Sequence, residues 1–424
     1  MSTQEQNYSC SFCGKRRDQV NKLIAGPVAF ICDECISVSA NILSDATNED
    51  LLEEVSSLLS PTEICDRLDR TIISQTTAKK ILSIASYNHY KRISSLEAGD
   101  AKIGKSNVLM IGPTGSGKTL LAQTLATVLS VPFAIADATT LTEAGYVGED
   151  VESVVERLLN ICDWDVKRAQ QGIIFIDEID KKSRSSESNS STKDISGEGV
   201  QQALLRLIEG TVIKVPMPSS KKSDGFVEFD TSNVLFICSG AFVGLEKTVN
   251  ARFNKRSIGF GADISNTDKA SWRQSISHKD LITYGLIPEF VGRLSTIVSL
   301  SELAEDDMIE IMTSSDVSVI KESKNLLLMD NIELEFSDSY YKTVSEIAHS
   351  KGIGARGIRS IVEASLHSIM YRAPELQDAG VTKVIFNQYP KISDMPAPTL
   401  VYSNGVEEID KHYTVLLRGQ IEQT

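Results

Sequence analysis

The chain has 424 residues, 41% of them hydrophobic and 24% charged, enough for two or three domains that each bury a core. Its formal net charge of −14 argues against non-specific binding to nucleic acid or anionic membranes, which needs basic surface to release counterions. Met1 to Ser9 is polar and lacks the apolar core of a signal peptide, and no apolar run approaches the roughly 20 residues that span a bilayer, so a cytoplasmic protein is expected.

The first region, residues 1–45, carries four of the seven cysteines in two tight pairs. Cys10 and Cys13 form one, Cys32 and Cys35 the other, with eighteen residues between. Each Cys-x-x-Cys turn directs two thiolates at one point, and two turns complete a tetrahedron around Zn²⁺. A redox dithiol or buried free cysteines are the alternatives, but a redox dithiol needs only one such pair. Four thiolates leave no open position for catalysis, so the metal would fold a module too small to hold itself together. Lys15, Arg16, Arg17 and Lys22 are few, and the apolar stretch Leu23 to Ile31 points to protein contacts or dimerisation. A polar connector, 46–61, ends at Pro61; Leu51-Leu52 and Leu58-Leu59 leave room for a short helix in it.

Residues 62–300 alternate apolar strands with amphipathic helices, the pattern of a parallel sheet covered on both faces. Strands are predicted at Asn107 to Ile111, Phe133 to Ile135, Ile173 to Ile176 and Val234 to Ile237. Between the first strand and its helix lies Gly112-Pro113-Thr114-Gly115-Ser116-Gly117-Lys118-Thr119, which matches G-x-x-x-x-G-K-[ST]. Its glycines let backbone N–H groups turn inward around phosphates. Lys118 would reach the β- and γ-phosphates of ATP, and Thr119 would ligate Mg²⁺. Taken alone, such a run is also what a Gly-rich turn opening an ordinary helix looks like. The strand Ile173 to Ile176 supplies the context, because it delivers Asp177 and Glu178 at its end. Asp177 suits the Mg²⁺ shell; Glu178 suits orienting and deprotonating the attacking water, which favours hydrolysis over mere binding. Two surface loops interrupt the pattern, Ser183 to Ser196 and Met217 to Gly225.

Residues 301–424 read as a small mixed α/β domain. Helices are expected over 305–314, 340–349 and 356–371, a strand at 332–336, and a strand pair from 381–386 and 412–417. Arg293 follows Phe290-Val291-Gly292, and Arg356 follows Gly352-Ile353-Gly354-Ala355; as isolated arginines both read first as surface charges.

Together these motifs resemble the ClpX family of AAA+ unfoldases, which feed the ClpP peptidase. The likeness spans nearly the whole chain and is carried by Cys10 to Lys15, Ala138 to Asp150, Ser196 to Leu205 and Leu286 to Phe290. The resemblance implies a hexameric ring of α/β AAA+ P-loop domains with parallel sheets. Each has a small C-terminal α/β domain and an N-terminal treble-type zinc-binding module open to adaptor proteins. It implies that Gly145-Tyr146-Val147-Gly148 is a pore loop gripping substrate polypeptide, with a second pore loop in the Ser-rich segment carrying Lys193 and Asp194. It implies that Arg293 is an arginine finger reaching a neighbour's γ-phosphate, and Arg356 a nucleotide sensor. Ile258-Gly259-Phe260 matches the tripeptide that docks into ClpP. No peptidase arrangement of its own is expected. Three departures stand out. Lys221-Lys222-Ser223 replaces the family's Arg-Lys-His pore-entrance loop, Ile73-Ser74-Gln75 replaces Ile-Gly-Gln, and Ser239 is the polar candidate for the strand-end sensor. The rival readings are a protease-independent remodeller, a nucleic-acid motor and a nucleotide-binding scaffold without turnover.

Overall fold

The computed structural model describes residues 9–26, 29–39, 58–97, 103–142, 149–183, 195–218, 225–256, 272–388 and 397–413. The chain divides into two compact units, Met1–Leu58 and Leu59–Thr424.

In the first unit Leu23–Ala25 pairs antiparallel with Phe30–Cys32, and a helix covers 33–39. Cys10 and Cys32 are buried in this small body, where few apolar side chains are.

The second unit is organised around a five-stranded, all-parallel sheet: β1 Val108–Ile111, β2 Phe133–Asp137, β3 Ile173–Asp177, β4 Leu235–Gly240 and β5 Thr296–Ser299. Their spatial order is β5-β1-β4-β3-β2. The two-residue strand period sorts the side chains onto two faces. Leu109, Ile111, Ile174, Ile176, Phe236 and Cys238 join one core. Val108, Met110, Ile173, Phe175, Leu235 and Ile237 join another under the helices Pro61–Asp69 and Lys118–Val128. Central strands buried on both faces explain why these segments read as unbroken apolar runs. The edge strand β2 alternates instead, with Ile135 exposed between buried Ala134 and Ala136.

A third core holds the C-terminal part together, from Leu303 through Leu366 to Tyr413. It packs helices Glu305–Thr313, Val319–Met329, Asp338–Ser350 and Gly354–Asp378 against a four-stranded sheet. One expectation fails here. Val381–Phe386 takes its antiparallel partner from Thr399–Tyr402, not from 412–417. Lys411 and His412 sit in a turn, Tyr413 follows it outside any strand, and 414–417 lie outside the described residues. Thr399-Leu400-Val401-Tyr402 wins because Gly405, at a φ of 79°, closes a tight turn to Glu407–Ile409 and gives it a second antiparallel partner. The helix Val319–Met329 and the hairpin Val212–Pro216 with Phe226–Asp230 were not foreseen. No helix among the described residues is long and apolar enough to cross a membrane.

Candidate nucleotide and metal sites

The loop Gly112 to Gly117 leaves the end of β1 and turns into the helix Lys118–Val128. Gly115 and Gly117 have φ of 78° and 91°, a region that side chains other than glycine enter only at a cost. At Gly115 there is a second reason, because a Cβ would collide with the carbonyl of Ile353. The loop packs there on the start of Gly354–Asp378, and Ala355 N–H donates to Gly115 O at 3.1 Å. That contact brings Arg356, one residue on, to the loop's side of the C-terminal part.

Lys118 Nζ donates to Gly112 O at 2.8 Å and Pro113 O at 3.0 Å. Burial holds its ammonium below the usual lysine range; Asp177 and Asp180 oppose that shift, while Arg356 adds to it. Thr119 Oγ1 donates to Asp177 Oδ2 at 3.3 Å, so the two oxygens expected to face Mg²⁺ are already neighbours. These oxygens fit a hard divalent cation, and the ion would supply charge neutralisation for the phosphates. β4 lies between β1 and β3, and its Ser239 hydroxyl donates to Asp177 Oδ1, as does Glu178 N–H at 2.9 Å. The polar candidate at the strand end therefore touches the carboxylate expected to face Mg²⁺.

Glu178 itself is exposed, on a left-handed backbone with φ of 56°. The chain reverses there, which turns the carboxylate out of the sheet and leaves it open to water. Asp180 was not singled out from sequence. It is buried at 5% exposure, with Oδ2 accepting from Phe242 N–H at 3.2 Å and Oδ1 unpaired among the described residues. It ties the segment after β4 to the turn after β3. Its only sequence signal was its place in Asp177-Glu178-Ile179-Asp180.

Ser74 and Gln75 both adopt left-handed backbones, with φ of 60° and 56°. The serine stands where the resemblance expects glycine, so the position keeps the conformation at a strain of about 1 kcal/mol. The Gln75 amide makes two bonds of 2.9 Å to the Ser301 backbone, N–H to carbonyl and carbonyl to N–H.

Arg293 is elsewhere. Asn107, just before β1, donates to Arg293 O at 3.3 Å, which places that arginine at the sheet end opposite the phosphate loop. The four residues of β1 separate the two by roughly 13 Å. Arg293 Nε instead donates to Glu209 Oε1 at 2.7 Å.

In the first unit the four thiol sulfurs of Cys10, Cys13, Cys32 and Cys35 lie within 4.8 Å of one another. Gly14 N–H donates to Cys10 O at 2.9 Å with φ of 75°, which forms the knuckle, and Cys32 N–H donates to Cys10 Sγ at 3.3 Å. Burial opposes ionisation of Cys10, yet backbone N–H groups from Cys13, Phe12 and Cys32 outweigh it and bring the thiol down to about 6. Cys35 is pushed up, chiefly by its contacts with Cys13 and Cys32. A set in which one thiolate raises its neighbour suits a divalent cation, and four sulfurs at tetrahedral spacing fit Zn²⁺.

Gly145 to Gly148, Lys193, Asp194, Lys221 to Ser223 and Ile258 to Phe260 lie outside the described residues.

Three family models match the chain. Residues 8–45 match the ClpX C4-type zinc finger, 104–297 an AAA domain of the Cdc48 subfamily, and 303–382 the C-terminal D2-small domain of ClpB protein.

Proposed function

We propose that this chain, whose segments match a ClpX C4-type zinc finger, an AAA domain and a D2-small domain and whose four clustered cysteines fit zinc, is a ClpX-like Clp ATPase that unfolds substrate proteins and threads them through a homohexameric ring into the ClpP peptidase. The observation that carries this reading is the union in one chain of a ClpX-type zinc finger with an ATPase centre in which Thr119, Asp177 and Ser239 are already in contact. Lys118 and the loop from Gly112 to Thr119 grip the ATP phosphates, Thr119 and Asp177 hold Mg²⁺, and Glu178 takes the proton of the attacking water. Arg356 reports the nucleotide to the C-terminal domain through the contact between Gly115 and Ala355.

The position of Arg293 supports a ring: its backbone lies at the end of its own sheet opposite the phosphate loop, so as an arginine finger it would serve a phosphate held by another copy. Within such a ring Gly145-Tyr146-Val147-Gly148 grips the polypeptide by an aromatic and an aliphatic side chain that read no sequence. Ile258-Gly259-Phe260 docks the peptidase, and the zinc module recruits substrates or adaptors.

The test is capture of substrates in a protease-inactive partner by wild-type and Tyr146→Ala rings. Capture that does not depend on Tyr146 removes the translocation reading. ATP-dependent degradation with ClpP that survives Ile258→Ala with Phe260→Ala removes the docking role and leaves the protease-independent remodeller.

A further inference from the structure

We propose that Glu209 is a positioning residue for Arg293, the mount that presents its guanidinium to the neighbouring active site. The proposal rests on the reading of Arg293 as an arginine finger and deepens it.

The contact has a particular form. Glu209 Oε1 accepts from Arg293 Nε at 2.7 Å, and the two terminal nitrogens of the guanidinium are not engaged by that carboxylate. A carboxylate on the terminal fork would occupy an edge that matches phosphate geometry. Here the carboxylate takes the inner nitrogen, and no hydrogen bond from the terminal nitrogens to it is found among the described residues. Both side chains are well exposed, 56% for Arg293 and 40% for Glu209, so the pair stands at the surface where a second copy can reach it.

The base of the pair is fixed just as specifically. Glu209 ends the helix Ile195–Glu209, and Arg293 ends the helix Pro288–Arg293. One buried amide serves both ends: Asn107 Nδ2 donates to Ile208 O at 3.2 Å and to Arg293 O at 3.3 Å. Its Oδ1 accepts from Phe236 N–H at 3.4 Å, which anchors the assembly to β4. Asn107 is 1% exposed, so the anchor is inside the core while the pair is outside it. The two helices are thus clamped at their last turns, and their terminal side chains meet across the clamp.

Glu209 is also in an electrostatically poor place. The C-terminal end of a helix carries partial negative charge and favours cations, and a carboxylate there works against it. Arg293 at its own helix end is favoured, and it supplies the positive charge that makes Glu209 tolerable. A long arginine held at Nε samples fewer rotamers than a free one, so less freedom is lost when its fork meets a phosphate.

The test compares steady-state ATP turnover of assembled full-length rings carrying Glu209→Ala, Glu209→Gln, Arg293→Ala, or Glu209→Ala with Arg293→Ala. Arg293→Ala is expected to lose about 1,000-fold in kcat. Glu209→Ala is expected to lose about tenfold in kcat while KM for ATP moves less than about twofold. Glu209→Gln keeps the acceptor for Nε and should recover most of that loss; it also carries the readout if alanine weakens assembly. The double variant should be no slower than Arg293→Ala, because Glu209 acts only through the arginine. Wild-type or faster turnover in Glu209→Ala overturns the proposal, faster turnover meaning that the pair stows the finger. Losses that multiply in the double variant overturn it as well. Wild-type turnover in Arg293→Ala removes the finger reading itself, a result distinct from an inactive Arg293→Ala beside an unaffected Glu209→Ala.

Discussion

At the C-terminal ends of β1, β3 and β4 the polar groups face one another: Lys118 against loop carbonyls, and Thr119, Ser239 and Glu178 N–H around the Asp177 carboxylate. At the N-terminal ends of the same sheet three basic side chains turn inward onto three successive backbone carbonyls. Lys105 Nζ donates to Thr231 O at 2.8 Å, Arg92 Nη2 to Ser232 O at 2.7 Å, and His89 Nε2 lies 2.9 Å from Asn233 O. Two lysines make the contrast concrete. Burial depresses both, and it brings Lys105, with Arg92 adding to the effect and Asp230 alone opposing it, down to about 7. Lys118 is opposed in that shift by Asp177 and Asp180, carboxylates that belong to the same site. The rear end therefore spends its charges on closing a buried turn, and the front end keeps a balanced set of charges available to a ligand. In open α/β sheets ligands gather at the carboxyl ends of the strands, and here the opposite end holds the structure shut. Substitutions should separate accordingly, turnover at the front and stability at the rear.

The largest separation is expected from Glu178→Gln. The exposed carboxylate has no buried partner to orphan, so the melting temperature should stay at the wild-type value. ATP turnover should fall by about 100-fold or more, as loss of a general base does, while nucleotide binding persists. Phosphate release and a fluorescent nucleotide titration measure the two. Unchanged phosphate release would turn the reading to a scaffold without turnover.

Arg92→Leu probes the rear. Arg92 is 6% exposed and also donates to Asn233 Oδ1 at 3.2 Å, so its removal takes a buried donor from the half-buried Ser232 O and from Asn233 together. A destabilisation of about 2–3 kcal/mol is expected by denaturant unfolding, with kcat per folded ring unchanged. A kinetic effect larger than the loss of folded protein would break the division between the two ends.

His89 gives a pH signature for the same cap. Burial, with the Arg92 and Lys105 charges adding to it, lowers its imidazole to about 3, against an ordinary 6.5. Between those values the unfolded chain binds a proton that the folded chain refuses, so the His89 contribution falls as pH drops from about 6.5 toward 3. The slope for one proton is about 1.4 kcal/mol per pH unit. His89→Gln retains a donor for Asn233 O and should flatten the stability-against-pH curve by that slope relative to wild type. Identical slopes in the two proteins would show that His89 is not held neutral.

The front end was legible in the sequence because its chemistry is local. Eight consecutive residues form the phosphate loop, and Asp177-Glu178 follow directly from an apolar run, so spacing along the chain already fixed spacing in space. The rear end gave no such signal. His89 and Arg92 act on carbonyls more than 130 residues away in sequence, and a backbone carbonyl has no residue identity to read. The same reason hid the anchor beneath the Arg293–Glu209 pair, where Asn107 joins two helix ends through main-chain oxygens. The one pairing error came where two strand-prone segments of similar composition competed for the same partner. Thr399–Tyr402 is short and follows Pro398, and its register with Val381–Phe386 settles it as the partner.

Ser239→Ala should give the smallest effect and tests how finely the front end is built. The serine is fully buried, and its hydroxyl donates to Asp177 Oδ1. Alanine removes one donor, but Thr119 Oγ1 and Glu178 N–H still hold the carboxylate. One neutral-to-charged bond of about 1–2 kcal/mol shared among three donors predicts a loss in kcat of roughly fivefold, not the collapse expected at Glu178. Because Asp177 is then less well oriented toward the cation, the Mg²⁺ concentration for half-maximal turnover should rise while KM for ATP at saturating Mg²⁺ stays near wild type. Deleting one hydroxyl leaves only a small void, so the unfolding midpoint should barely move. A fall in stability without a change in Mg²⁺ requirement would assign Ser239 to the rear-end logic, a group that holds the sheet together and does not tune the site.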